Sequence, residues 1–325
     1  MRIFLALIVF IVLQILFIPL AVIGMVWTGY RQIVVSKNLG VSQTAIEIIN
    51  GRWTMHVFGL RDDPGAAKLT PVLPNTSTIG LWLVLFPLYV HSRIAGQTRW
   101  YPTIVKEGEE GLANLVTNRT VYIDSIINRA KSDVEQFVIL GAGLDTRAYG
   151  NLHHSNLKFF ELDQATTQQH KRKYLQKAGL DASQVTFVEV DFMRDDWFSS
   201  LESDGYDPNK RTIFLWEGVT LYLSESSVRN TLHTIKANAK DGSIVIMDIY
   251  SQSFVSGEYS RAMKASFPTL DITDEQLSFG LDMKNEYEAS LQEFVHSEGF
   301  VLGKTYFMGY KTKKGIWMVV AELTV

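Results

Sequence analysis

Short apolar runs alternating with helical stretches constrain this chain most. The runs are Phe137–Leu140, Leu157–Leu162, Val185–Val190, Thr212–Trp216 and Ser243–Ile249. A run of four to eight apolar residues is what a strand covered on both faces looks like. Helical patterns between such strands predict a parallel, doubly wound α/β sheet. Gly111–Ala130 reads as a helix, as does Ser224–Ala239 with Ser224 at its cap, and Glu288–Ser297 reads as another. Val301–Met308 and Ile316–Leu323 predict two further strands joined through the Lys311–Gly315 turn. Tyr250–Asn285 shows no clear strand and predicts helices or a lid.

Open parallel sheets bind ligands at the carboxyl ends of their strands. The first run ends at Gly141-Ala142-Gly143, where missing side chains let the backbone pass close to a ligand. Thr146 stands where the dinucleotide fingerprint has its third glycine, which disfavours a pyrophosphate and suits a ligand without phosphates. Asp163 follows the second run, about twenty residues after Gly143, where a carboxylate accepts ribose hydroxyls or caps the next helix. Glu161 alternates onto the opposite face, open to solvation. Asp191-Phe192 follows the third run and suits an adenine, the acid taking the exocyclic amine and the ring packing on the base; a loop acid beside a core ring is the plainer alternative. Glu217 follows the fourth run, where a carboxylate needs a partner such as an ammonium. Tyr222 offers either an aromatic face to a cation or ordinary packing. Arg119 lies on the preceding helix, as a fork for a carboxylate or as part of a solvated face.

These residues carry a resemblance. Arg119-Thr120 with Asp124, FVILGAGLDTRAYG (137–150), FFELDQATTQQHKR (159–172), VTFVEVDF (185–192) and LWEGVTLYL (215–223) resemble the leucine carboxyl methyltransferase-like family, in its bacterial branch. The resemblance runs from about Val41 to the C-terminus. It implies a class I methyltransferase fold, a Rossmann-like doubly wound sheet ending in an antiparallel hairpin. It implies S-adenosyl-L-methionine as cofactor. Arg119 would hold the methionine carboxylate, the loop of Gly141, Ala142 and Gly143 would line the site, and Asp163 would take the ribose. Asp191 and Phe192 would take the adenine, and Glu217 the methionine end. The apolar N-terminus and the apolar stretch from Thr70 to Gly96 depart from the family's soluble members.

Ile3–Trp27 is nearly continuous in apolar residues, broken by Gln14, Pro19 and Gly24. It is long enough to cross a hydrocarbon core of about 30 Å and too long for a signal peptide, so it reads as a membrane anchor. Trp27 and Tyr30 suit the interface. Flanking charges (Arg2 against Arg31 and Lys37) leave its orientation open. A second run, Ile79–Val90, is short and holds Pro87; it reads as a buried or membrane-lying helix, with a second span as the alternative. The expected organisation is an anchor over 1–30, a helical region over 31–110 and the cofactor-binding domain over 111–325.

The absence of cysteine excludes disulfides, zinc–thiolate sites and cysteine nucleophiles, and no metal site is expected. A formal net charge of -3 offers no nucleic-acid footprint. The reaction expected is methyl transfer to a carboxylate or hydroxyl of a small or lipid-like acceptor, catalysed from the cytoplasmic side of the membrane. A carboxylate acceptor needs no base; a hydroxyl does, and His153, His154 and Asp145 stand near the glycine loop in sequence without one being assigned. A nicotinamide-dependent oxidoreductase and a non-catalytic membrane-bound nucleotide-binding protein remain the rival readings.

Overall fold

The computed structural model describes residues 1–150, 152, 156–191, 196–259 and 276–325. They form two compact units, one of residues 105–143, 154–168 and 183–325, the other of 1–104, 144–153 and 169–182.

The first unit holds a seven-stranded sheet: β1 (Gln136–Leu140), β2 (Lys158–Asp163), β3 (Val185–Glu189), β4 (Thr212–Trp216), β5 (Ile244–Tyr250), β6 (Val301–Met308) and β7 (Met318–Thr324). Its order is β3-β2-β1-β4-β5-β7-β6. The first five strands pair in parallel. β7 inserts between β5 and β6 and runs antiparallel to both. This strand order, with an antiparallel hairpin ending a doubly wound parallel sheet, is the arrangement that the resemblance implies. The expected terminal hairpin is present, with its second strand pointing back into the sheet.

β1, β4 and β5 are buried at every residue, so their sequences carry no polar alternation. Val138, Phe160, Phe214, Trp216 and Met247 share one core with helix residues. Among the latter, Val228, Leu232 and Ile235 line one stripe of a helix over Glu225–Asn238, whose first turn is capped by Ser224 Oγ accepting from Ser227 N (3.1 Å). Glu161, expected to be solvated, is fully buried. It sits in β2, where Phe159, Phe160, Glu161 and Leu162 are all buried in succession, so both faces of the strand are covered. After β5 the chain makes a short helix, Gln252–Val255, and Ser251 bridges to Leu281.

In the second unit, helices run over Arg2–Tyr30 (α1), Ser36–Leu39 (α2), Gln43–Phe58 (α3), Pro64–Leu69 (α4) and Thr78–Ala95 (α5). Asp63 and Pro64 start α4: Asp63 Oδ1 accepts from Ala66 N (2.9 Å), and proline at the first helical position gives up no hydrogen bond. α5 lies between α1 and α3. On one side Phe17 stacks on Phe86 with centroids 5.1 Å apart. On the other, Trp53 meets Trp82 (5.8 Å) and Phe58 meets Tyr89 (5.5 Å) edge-on. α1 and α5 approach closely at Gly24, where a Cβ would lie 2.5 Å from the carbonyl oxygen of Gly80.

Asp145 is buried among cations. It accepts from Arg52 Nη1 (2.9 Å), from Arg147 N (2.8 Å) and from the Arg147 guanidinium. Burial pushes its carboxyl up, but Arg147, Arg52 and Lys171 outweigh that and hold it well below the usual carboxylate range. A depressed folded value contributes stability that is present above the unfolded value of about 3.9 and lost as pH falls below it. Replacing Asp145 by Asn removes the buried charge that faces the Arg52 and Arg147 guanidinium groups. The variant should unfold about 3–5 kcal/mol more easily at neutral pH, read by urea denaturation, and lose this acid-sensitive component of stability.

Candidate active site

The predicted site residues of the sheet-bearing unit gather around the carboxyl ends of β1, β2 and β4. They start from a helix over Leu115–Ala130 (α6), which carries Arg119. The segment before it is tied down by Glu110, whose buried carboxylate accepts from Gly108 N (2.8 Å), Gly309 N (3.1 Å) and the Tyr122 hydroxyl. Asn118 Nδ2 donates to Val105 O (2.9 Å), and Asn118 Oδ1 accepts from Val105 N (3.2 Å). These bonds fix the turn of α6 that presents Arg119.

Arg119 is 2% exposed, which excludes the solvated-face alternative. Its Nη1 donates to Asp248 Oδ2 (2.8 Å) and to Tyr250 Oη (2.8 Å). Its Nε lies 3.2 Å from Glu217 Oε1. Asp248 Oδ1 accepts from Gly218 N (2.9 Å), so one carboxylate orients both the arginine and the turn after β4. Burial opposes the guanidinium charge, but Tyr250, Glu217 and Asp248 more than offset it and raise the Arg119 pKa. Burial pushes the Asp248 carboxyl up against the pull of Arg119, and pushes the Tyr250 hydroxyl far up. Among the described residues Arg119 thus faces two carboxylates, Asp248 within β5 and Glu217 just past the end of β4.

The glycine turn is built for close approach. Gly141 has φ +67°, and a Cβ there would sit 2.5 Å from Val219 Cγ2. Ala142 N donates to Leu162 O (2.9 Å), and Gly143 N donates to Asp163 Oδ2 (2.6 Å). Asp163 Oδ1 accepts from Gln164 N (2.7 Å). Asp163 thereby holds the turn after β1 against the end of β2.

Asp191 is half-buried, just past the end of β3, and Val190 N donates to Asp163 O (3.0 Å). Tyr222 is half-buried at the end of a 3₁₀ turn, Thr220–Tyr222, close enough to Tyr250 to act on it electrostatically. Phe192, His153 and His154 lie outside the described residues. Thr146, in the third-glycine position, is buried and donates to Asp63 Oδ1 and Oδ2 at 3.0 Å each.

Asp248, Tyr250 and Glu110 were not among the expected site residues. The signal for Asp248 is present: it is an acid inside the otherwise apolar strand IVIMDIY, and a carboxylate buried there requires a cation.

The sequence model of the family described as leucine carboxyl methyltransferase matches residues 80–236, in agreement with the resemblance read from the motifs. A Mycobacteroides abscessus protein described as "Putative S-adenosyl-L-methionine-dependent methyltransferase" is 32% identical over 154 residues, 47% of this chain and 51% of the relative. A Streptomyces avermitilis protein described in the same terms is 34% identical over 140 residues, covering 42% and 49%. This chain spans about half the length of the curated relatives it matches. The crystal structure of a DUF574 family protein from Streptomyces avermitilis aligns with a TM-score of 0.48 at 14% identity, over 66% of this chain and 84% of that one.

Gly141→Ala tests the close packing of the turn. The left-handed backbone and the clash with Val219 should together cost about 1–3 kcal/mol, measured by urea denaturation. Adding Val219→Ala should recover the steric part and leave the backbone part. Equal destabilisation with and without the second change would show that Val219 is not what closes the turn.

Proposed function

We propose that this chain is an S-adenosyl-L-methionine-dependent methyltransferase of the leucine carboxyl methyltransferase kind. One observation carries the reading: the buried Arg119–Glu217–Asp248 cluster stands beside a glycine turn that Asp163 holds, at the ends of β4, β1 and β2. That combination fits a ligand with an ammonium at one end, a ribose further along and no phosphate. S-adenosylmethionine has this constitution.

In this reading Glu217 takes the ammonium. Nη1 and Nε of Arg119 are committed to Asp248, Tyr250 and Glu217, which leaves Nη2 for the methionine carboxylate. Gly141, Ala142 and Gly143 would line the path of the cofactor, and Asp163 would accept the ribose hydroxyls. Asp191 with Phe192 takes the adenine, and Tyr222 turns an aromatic face toward the sulfonium. The bound cofactor supplies an electrophilic methyl group. The chain's own task is to hold the acceptor oxygen in line with it and to keep water out. The acceptor is a small or lipid-like molecule that offers a carboxylate or a hydroxyl. A carboxylate arrives ionised and asks no residue here to remove a proton.

The catalytic domain is assigned to 111–325, preceded by a helical region over 31–110. The chain is held to the membrane by its N-terminal 1–30 segment, with the domain on the cytoplasmic side, where the cofactor is made. Two helices are long and apolar enough to cross a membrane by length and composition.

Calorimetry on the full chain tests the cofactor. S-adenosylmethionine and its demethylated product should both bind, and NAD should not; binding of NAD alone would sink the proposal. Glu217→Gln should weaken S-adenosylmethionine about 10- to 100-fold by removing the counter-charge of the ammonium. It should weaken a deaminated analogue far less.

A further inference from the structure

The membrane reading leaves open how the apolar helix meets the bilayer, and the packing of α1 bears on this. The geometry points to an in-plane arrangement: α1 lies lengthwise in one leaflet, with its second side covered by protein, and neither α1 nor α5 crosses the membrane. The inference rests on the membrane association proposed above and is independent of the cofactor.

α1 has two sides. Ala6, Ala21 and Gly24 are buried, and Phe10 and Phe17 are half-buried with them, on the side that meets α5. Phe4, Ile11, Ile15, Ile18, Val22 and Met25 follow a second stripe at helical spacing, on the side turned away from α5, and are 49–69% exposed. The contacts with α5 run along the helix, from Phe10 against His91 (5.8 Å), through Phe17 against Phe86, to the close approach of Gly24 and Gly80. α1 is therefore docked along its length and is no free stalk.

What lies behind α5 decides the matter. α3 packs on its far side through Trp53 and Phe58. Arg52, next to Trp53, is ion-paired with Asp145, which also holds Arg147. Trp53 meets α5 at Trp82, and Trp82 also contacts Phe86, the partner of Phe17 in mid-α1. A bilayer enclosing α1 as a span would have to enclose this ion cluster at its own middle depth, where charged groups are expensive. Laid flat, α1 needs only its outer stripe in the acyl region, roughly 5–10 Å deep, while α5 and α3 stay on the protein side. An in-plane helix ordinarily carries its own polar face; here α5 covers that side instead. The ends agree. Trp27 and Tyr30 are exposed, and the Arg31 guanidinium lies 5.2 Å over the Trp27 ring, a set suited to the headgroup level.

The chain has no cysteine, so any one introduced is a unique reporter. Arg2→Cys and Asn38→Cys, each in the full chain, mark the start of α1 and the exposed α2 turn beyond its other end. They are tested in sealed inside-out vesicles with a membrane-impermeant maleimide. In-plane docking expects both to react without detergent, at rates within about twofold. One cysteine protected until detergent is added means a crossing and overturns the inference. Both protected keeps the helix in-plane and overturns the cytoplasmic placement. A chain that fails to float with the vesicles overturns the membrane association itself. Depth measurement with spin labels at Ile11→Cys, Ile18→Cys and Met25→Cys should give one common depth; a progression through the bilayer overturns the inference. S-adenosylmethionine binding by each variant is read separately, so failure of this topology and failure of the methyltransferase reading are distinguishable.

Discussion

The buried ion cluster of Arg119 is the interaction on which the candidate site depends. A guanidinium taken out of water needs opposed charge and filled hydrogen bonds to persist. Asp248 and Tyr250 supply these from β5, and Glu217 supplies charge from just past β4. The cluster therefore joins α6 to two neighbouring strands. It also sets the turn after β4, because the oxygen of Asp248 that does not meet Arg119 holds Gly218 N. Removing the Asp248 carboxylate would leave the arginine partly compensated and the turn without this bond. The placement of Glu217 is thus a consequence of how Arg119 is satisfied.

Asp163 plays a comparable part at the other side of the site. Its carboxylate takes the backbone N–H of Gly143 and of Gln164, which ties the glycine turn after β1 to the end of β2. Gly141 contributes the other constraint, since only a residue without Cβ can lie against Val219 with that backbone angle. The turn is thus held before any ligand arrives. Preorganisation of this kind lowers the entropy lost on binding.

The strands were legible because parallel strands with covered faces must be apolar throughout, and each of the seven falls where its run predicts. The position of β7 was not legible. Adjacent runs imply a hairpin, but nothing local states that its second strand inserts beside β5. Site residues after the strands were legible from position alone. Arg119 was legible only through the resemblance, because a helix arginine shows no local sign of burial. Asp248 lies within a strand, where position at a strand end does not mark it and only the acid in an apolar run does. Glu161 is a like case: an acid in a central strand is a buried acid, whichever face it takes.

The N-terminal segment shows where composition stops informing. Twenty-odd apolar residues are compatible with a span, a buried helix or a helix lying in one leaflet, because all three require the same surface chemistry. What separates them is the neighbour on each side. α1 has α5 along one side and an aliphatic stripe along the other, and behind α5 stands α3 with Arg52 paired to Asp145. A helix so placed is apolar all round for two different reasons, protein packing on one face and exposure on the other. Its uniform sequence hides that division. The lateral contact with an ion-paired helix, absent from any hydropathy profile, is what makes crossing costly and lying flat economical.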